Sequence, residues 1–282
     1  MVPACGRAAR MTNLERAGDW LRRIPVGEHA RRPLRRLYQA ALAIGTLGRG
    51  LRRTLPSGET MFVSPAHRHI DWNRVEFDAF RAAVRPGAVA LDIGANVGAY
   101  SLALGRWVGG GGHVFAFEPS PLEYDGLCEH IRLNHLGDRV TPVRAAVGAA
   151  VGTLPFIVES TAGEGRLAAT GSTRATVEVT ATTVDAFCAR EGVTPDFVKV
   201  DVEGAELDVL CGASETIERT RGRLALFVEL HPARWAERGL TRADLEREID
   251  RLGLAVTSLV PDADPWTLEG VTARLVTRRR TG

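Results

Sequence analysis

The sequence predicts an α/β fold of the Rossmann-like, doubly wound kind, on three observations. Val89-Ala-Leu-Asp-Ile93 is a short apolar run closed by a glycine, the pattern of a strand buried on both faces of a parallel sheet. Gly94 and Gly98 then bracket a tight turn, and Ser101-Leu-Ala-Leu-Gly-Arg-Trp107 continues at helical spacing. A second apolar run, His113-Val-Phe-Ala-Phe117, ends in Glu118-Pro119, about 20 residues beyond the turn. Strand, glycine turn, helix and strand in this order open a nucleotide-binding βαβ unit.

Two regions follow from the pattern: a basic extension over residues 1–55 and a Rossmann-like domain over 56–282. The extension carries Arg22-Arg23, Arg31-Arg32, Arg35-Arg36 and Arg52-Arg53 against few acids. Leu34, Leu37, Tyr38, Ala41, Leu42 and Ile44 recur at helical spacing and predict an amphipathic helix from about Arg32 to Leu47. Such a helix can lie on an anionic membrane, hold a partner, or pack on its own domain and solvate its arginines. Gly58 to Ser64 reads as a short strand after a Pro-Ser-Gly turn. The loop from Pro65 to Trp72 carries His67, His69 and Asp71, a cluster that could bind a metal or be only polar surface; His67 and His69 are candidates to close over a substrate. Arg74 to Val84 is helical and is stopped by Pro86-Gly87.

The core then alternates strand and helix. A helix runs from Val97 to about Trp107, and Gly109 to Gly112 turn the chain into the strand that ends at Glu118. Pro121 to Leu136 is the next helix, and Arg139 to Val147 a third strand. Residues 149–181 break the rhythm: Gly152 to Val158 and Thr176 to Thr182 alternate like two strands around a Gly, Ser and Thr-rich loop, an inserted β-hairpin. A helix from Val184 to Glu191 leads to the strand Asp196-Phe-Val-Lys-Val-Asp201, from which a helix opens towards Cys211-Gly212. Arg223 to His231 is the fifth core strand, residues 241–252 a helix, and Ala255 to Leu259 and Val271 to Val276 the last two strands.

Composition excludes several classes. The chain has 282 residues, 45% apolar and 25% charged, ordinary for a globular protein with one large domain. A net charge of +2 gives no field that argues for nucleic acid. Cys5, Cys128, Cys188 and Cys211 are scattered without paired spacing, neither a zinc pattern nor a disulfide framework, and they fit a reducing cytoplasm. No run approaches the roughly 20 apolar residues of a membrane helix, and the first residues lack the apolar core of a signal peptide. Lys199 is the only lysine; an arginine-biased genome is the dull cause, yet it makes that position stand out.

The glycine spacing speaks to the ligand. It is Gly-x-x-x-Gly after an acid, not the Gly-x-Gly-x-x-Gly that lets a pyrophosphate approach. A ligand without phosphate but with a cationic amino-acid head could use Asp92 instead. With Glu118 placed for ribose hydroxyls, the two acids suit S-adenosylmethionine better than NAD. The small pair Ala145-Ala146, at the end of the third strand, leaves room for a flat base.

These motifs resemble the FkbM-type family of S-adenosylmethionine-dependent methyltransferases. The matching stretches are Leu91-Asp-Ile-Gly-Ala-Asn-Val-Gly98, Phe117-Glu-Pro119 and Phe197-Val-Lys-Val-Asp-Val-Glu-Gly-Ala-Glu206, supported by Thr182-Thr-Val-Asp185 and Phe227-Val-Glu-Leu-His231. The resemblance covers about residues 85 to 235 and implies a seven-stranded, mostly parallel sheet of the class I methyltransferase type, with its last strand antiparallel. It implies methylation of a hydroxyl on a secondary metabolite or a sugar, and a cofactor site built from Asp92, Gly94, Ala95, Asn96, Gly98, Tyr100, Glu118, Pro119, Ser120, Ala145, Ala146 and Asp201.

Methyl transfer to an alcohol needs alignment and a base for the hydroxyl proton. Ligands of such sheets sit at the carboxyl ends of the strands, where Asp201, Glu203, Glu229 and His231 are expected. His231 has the most suitable unperturbed pKa, about 6.5. Asp201 could serve as base or hold the hydroxyl, Lys199 balances the acidic charge, and Glu203 is a substrate-binding candidate. The competing reading makes Asp201 a cap of the following helix and Glu203 and Glu206 mere favourable charges at its positive end, and for Glu206 that reading is preferred. Base catalysis without a metal is the default; were Mg²⁺ used, Asp201, Glu229 and His231 would be its ligands. An RNA methyltransferase gripping through the basic N-terminus, or a binding protein that kept the fold without the reaction, are the alternatives.

Overall fold

The computed structural model describes residues 46, 48–158, 165–168 and 176–278. β1 (Leu51–Thr54) and β2 (Thr60–Val63) form an antiparallel hairpin, followed by a short 3-10 turn at Pro65–His67 and α1 (Arg74–Ala83). β3 (Val89–Ile93), α2 (Ala99–Trp107), β4 (His113–Phe117), α3 (Pro121–Leu133) and β5 (Val140–Val143) then alternate. β6 (Ala146–Val147), β7 (Gly152–Ile157), β8 (Arg166–Leu167) and β9 (Thr176–Thr182) come next, before α4 (Val184–Glu191) and β10 (Phe197–Val200). α5 (Glu206–Cys211), α6 (Ser214–Arg219), β11 (Ala225–Leu230), α7 (Pro232–Glu237), α8 (Arg242–Arg251), β12 (Leu254–Ser258) and β13 (Val271–Thr277) complete the chain.

The main sheet has 7 strands in the order β12-β13-β11-β10-β3-β4-β5. β11, β10, β3, β4 and β5 run parallel, and β13 is antiparallel to both of its neighbours. The expected seven-stranded, mostly parallel sheet with a reversed last strand is the one observed. Alternate residues of each strand feed two cores. Ala90, Val114, Phe197 and Phe227 face Phe77 and Phe80 of α1, Leu102 and Trp107 of α2 and Leu127 of α3. Leu91, Ile93, Val198 and Val228 face Phe187 of α4, Val209 of α5, Ile217 of α6 and Leu245 of α8. Burial on both faces is why these strands are apolar throughout. The polar exceptions, Asp92 and Lys199, therefore point into the first core.

Several boundaries differ from the sequence reading, each for a local reason. The run from Arg139 to Val147 is two strands: β5 closes the edge of the main sheet, and β6 pairs in parallel with β9. Pro142 sits in β5, where an edge strand tolerates a missing donor. The inserted element is larger than a hairpin, a 4-stranded sheet in the order β6-β9-β7-β8. The helix after β10 begins at Glu206, not Asp201, because Glu203 (φ 52°) and Gly204 (φ 101°) are left-handed. Within the stretch assigned to a helical extension, β1 is a strand, and its hairpin docks on α3. There Asn134 bridges both backbone groups of Phe62 at 2.8 and 2.7 Å, and the Ser64 N–H donates to His130 Nε2 at 2.9 Å. The amphipathic helix expected over about residues 32–47 lies outside the described residues. No helix among the described residues is long and apolar enough to cross a membrane.

Candidate active site

The turn after β3 brings the ends of the two flanking strands together. Gly94 (φ 79°) and Ala95 both donate their N–H to Phe117 O, while Asp201 donates its N–H to Ile93 O. A Cβ on Gly94 would stand 1.7 Å from Asp201 O, and one on Gly98 (φ 90°) would stand 2.7 Å from Leu127 Cδ1. Both residues are left-handed, and at Gly94 the packing of backbone on backbone also leaves no room for a side chain.

Around this turn opens a cleft of about 660 Å³, including its mouth. Gly94, Asn96, Glu118, Pro119, Ser120 and the Ala145-Ala146 pair line it, together with Asp201 and Glu203. Glu118 is fixed at both oxygens: the Asn96 N–H donates to Oε2 and the Ser120 N–H to Oε1, each at 2.8 Å. Burial pushes its pKa up to about 7 despite those two donors. Glu123 also lines the cleft and accepts a hydrogen bond from Ser120 Oγ.

The opposite wall was not foreseen. Phe156 and Leu167 of the second sheet, with Gly165 just before β8, line it, and the two apolar side chains pack in one cluster with Ala205 and Val202. Alternation in β7 marks an apolar face but carries no information about what that face covers.

Other predicted residues do not reach the cleft. Ala95 is buried, and Gly98 serves as the N-cap of α2. Tyr100 points into the first core, where its hydroxyl donates to Glu76 Oε2 at 2.5 Å, and Thr272 Oγ1 donates to the other Glu76 oxygen at 2.8 Å. His67 lies over Gly126 of α3, with its Nδ1 3.0 Å from Ser64 Oγ and its ring edge-on to His130; His69 is exposed elsewhere on the loop. Neither histidine lines the cleft.

Asp92 lies behind the cleft and supports it. Its Oδ2 accepts from Ser101 Oγ at 2.5 Å, and its Oδ1 is 3.7 Å from Lys199 Nζ, which bonds Asp201 Oδ2 at 3.1 Å. Asp92 and Lys199 are 0% and 4% exposed. Burial raises the Asp92 pKa, with Lys199 and Ser101 opposing it. Burial works against the Lys199 charge too, but Asp201, Asp92 and Glu229 outweigh it and hold its pKa above the ordinary value. Lys199 is thus a fixed cation that orients Asp201.

Asp201 is no helix cap; the cap position of α5 is Ala205. Glu206, expected only as a favourable charge at the positive end of the helix, is its first residue, is 0% exposed and organises the next layer. Its Oε1 accepts from Gly204 N at 2.8 Å and lies 2.9 Å from His231 Nδ1; its Oε2 accepts from Trp235 Nε1 at 2.7 Å. The other ring nitrogen, Nε2, faces Glu229 at 3.7 Å and Asp201 and Glu203 at 3.9 Å. Burial depresses the imidazole pKa, but the Glu206 bond and charge reverse this and push it up to about 9. His231 therefore holds its proton more tightly than a free imidazole does. Burial and the charge of Asp201 push Glu229 up to about 8.

Comparison with known proteins agrees with the family the motifs resemble. Residues 92–255 match the model described as the methyltransferase FkbM domain. The hexuronic acid methyltransferase AglP of Haloferax volcanii is 29% identical over 168 residues, 58% of this chain and 66% of that relative; the chain thus spans about two thirds of its length. A methyltransferase FkbM structure from Methylobacillus flagellatus superposes with a TM-score of 0.44 at 16% identity, covering 71% of this chain and 51% of that one. A SAM dependent methyltransferase from Aquifex aeolicus gives 0.42 at 15%, covering 74% and 96%. The family match spans more than half of the chain, and the protein belongs to the FkbM-domain methyltransferases.

Proposed function

We propose that this protein transfers a methyl group from S-adenosylmethionine to a hydroxyl of a small sugar-containing acceptor. Glu118 carries the reading. It is a buried carboxylate fixed by two backbone N–H donors on the wall of the cleft, one turn from the glycine loop, where a ribose would present hydroxyls. The donor set fits the cofactor: Ala145 and Ala146 leave room for a flat base, and Asp201 stands on the far side of the β3 turn for the amino-acid end. Bound there, S-adenosylmethionine supplies a methyl group on a sulfonium that is already a good leaving group.

The chain contributes alignment and a place for the proton. The rim beyond β10 and β11 presents Asp201, Glu203 and Glu229, which accept hydrogen bonds from hydroxyls and suit a polyol more than an apolar ring. Asp201 and Glu203 lie on the cleft wall and are the nearest acceptors for a hydroxyl proton. Lys199 keeps Asp201 oriented. The relative named as a hexuronic acid methyltransferase favours a sugar over an aglycone hydroxyl.

Calorimetry of S-adenosylmethionine and S-adenosylhomocysteine on wild type and Glu118→Ala tests the cofactor half. Binding by wild type that largely disappears in the variant supports it; no binding by folded wild type sinks the methyltransferase reading in favour of a binding protein. Label transfer from the cofactor to glycosides and uronosides tests the acceptor half. A product methyl group that survives mild alkali is an ether on a hydroxyl; one released by it is a carboxyl ester and overturns the hydroxyl assignment.

A further inference from the structure

We propose that Asp201, Glu229 and His231 form a binding site for a divalent first-row transition metal ion, of which Mn²⁺ is the representative. One ligand atom from each residue lies within 4.8 Å of the other two. Around an ion with bonds of about 2.0–2.2 Å, ligand atoms stand roughly 3–4.4 Å apart. The His231 Nε2 distances of 3.7 Å to Glu229 and 3.9 Å to Asp201 already fall in that range.

Acidic residues gather on many surfaces, and His231 is what sets this group apart. The residue is 4% exposed, and its Nδ1 is tied to Glu206, itself held by Trp235 Nε1 and the Gly204 N–H. A carboxylate behind an imidazole orients the ring and makes the opposite nitrogen a better ligand, the usual support of a metal-bound histidine. That opposite nitrogen is aimed at three carboxylates, all at 3.7–3.9 Å, beyond hydrogen-bond length. A buried ring nitrogen and carboxylates spaced in this way are a cage for a cation.

The charges point the same way. Asp201, Glu203 and Glu229 converge on His231, while Lys199 is already shared between Asp201 and Asp92, and Arg234 is 3.6 Å from Glu203. The imidazole selects among divalent ions: Mg²⁺ and Ca²⁺ prefer sets made of oxygen, whereas one nitrogen with two carboxylates suits Mn²⁺, Fe²⁺ or Zn²⁺. This departs from both the metal-free default and the Mg²⁺ of the sequence reading. Because Asp201 is also part of the cleft wall, the ion stands where an acceptor oxygen is expected; that consequence rests on the methyl-transfer reading, while the site itself does not.

The test strips the full chain with chelator and titrates it with Mn²⁺ at fixed pH, reading the free-ion electron paramagnetic resonance signal alongside calorimetry. Wild type is expected to take up a single ion, with affinity reduced at least about tenfold in Glu229→Gln and in His231→Asn. S-adenosylmethionine binding is measured on the same preparations and is expected to persist in Glu229→Gln, since Glu229 does not line the cleft. No Mn²⁺ uptake by wild type up to roughly 1 mM, or uptake unchanged in both variants, overturns the site. Uptake that depends on both residues upholds it, even in a protein that fails to bind the cofactor, where only the methyl-transfer reading falls.

Discussion

Gly94 and Asp201 meet backbone to backbone: a Cβ on Gly94 would stand 1.7 Å from the Asp201 carbonyl oxygen. The loop that carries Glu118's partner Asn96 and the strand end that carries Asp201 are thus placed by one contact. Gly94→Ala would force the two apart and strain a φ of 79°. Left-handed strain and overpacking together predict a loss of roughly 3–5 kcal/mol, about 10 °C in melting temperature. Thermal melts check this, and a drop of only one or two degrees would show that the contact does not organise the site.

Lys199→Met removes the cation between Asp92 and Asp201. Breaking one partner of a buried pair costs about 3–5 kcal/mol because the other charge stays buried. The double variant Asp92→Asn with Lys199→Met is expected to recover part of that loss, since the uncompensated carboxylate is gone. Urea denaturation of the cycle gives the coupling, and additive losses would contradict it.

Glu118 predicts a pH dependence of cofactor binding. Its folded pKa of about 7 lies above the ordinary 4.5, so the folded state binds the proton more tightly than the unfolded chain does. Its contribution to stability accordingly falls as pH rises from about 4.5 to about 7, and the cost is complete above that. Ribose hydroxyls donate to the ionised form, so affinity for S-adenosylmethionine should increase from pH 6 to about pH 8 and then level off. Glu118→Gln should bind at least about tenfold more weakly, with no such slope. Calorimetry across this range decides; a wild-type affinity independent of pH would remove Glu118 from the ribose.

Glu206→Ala leaves His231 Nδ1, Trp235 Nε1 and the Gly204 N–H without their acceptor. Unsatisfied buried donors cost about 1–3 kcal/mol each, so a loss of several kcal/mol is expected. Glu206 does not line the cleft, so cofactor affinity in the folded variant should change little while methyl transfer falls at least about tenfold. Glu206→Gln, which keeps one acceptor oxygen, should lie between the two. Equal loss of binding and turnover would place Glu206 in general stability instead.

Much of the cleft was legible because it is written locally. Gly94, Asn96 and Glu118 fall at strand ends that apolar runs announce, and the parallel order of those strands carries them to one rim. Glu206 was misread for the opposite reason. Its position at the start of a helix is a sufficient local account of an acid, and its partners His231 and Trp235 come from a later strand end and helix. Tyr100 and His67 are near the motifs in sequence but do not line the cleft: the Tyr100 hydroxyl donates to Glu76, and His67 packs over Gly126.

By itself the sequence determined the alternating α/β order, the seven-stranded sheet and the family, since buried parallel strands need unbroken apolar runs and their glycine turns cannot be replaced. Only the tertiary structure decided which side chains share a site. The second sheet lines the cleft with Phe156 and Leu167, and the layer of Asp201, Glu206, Glu229 and His231 assembles from two segments, the one after β10 and the end of β11. Contacts of that kind are fixed by strand register and helix packing, and no spacing along a single stretch of chain encodes them.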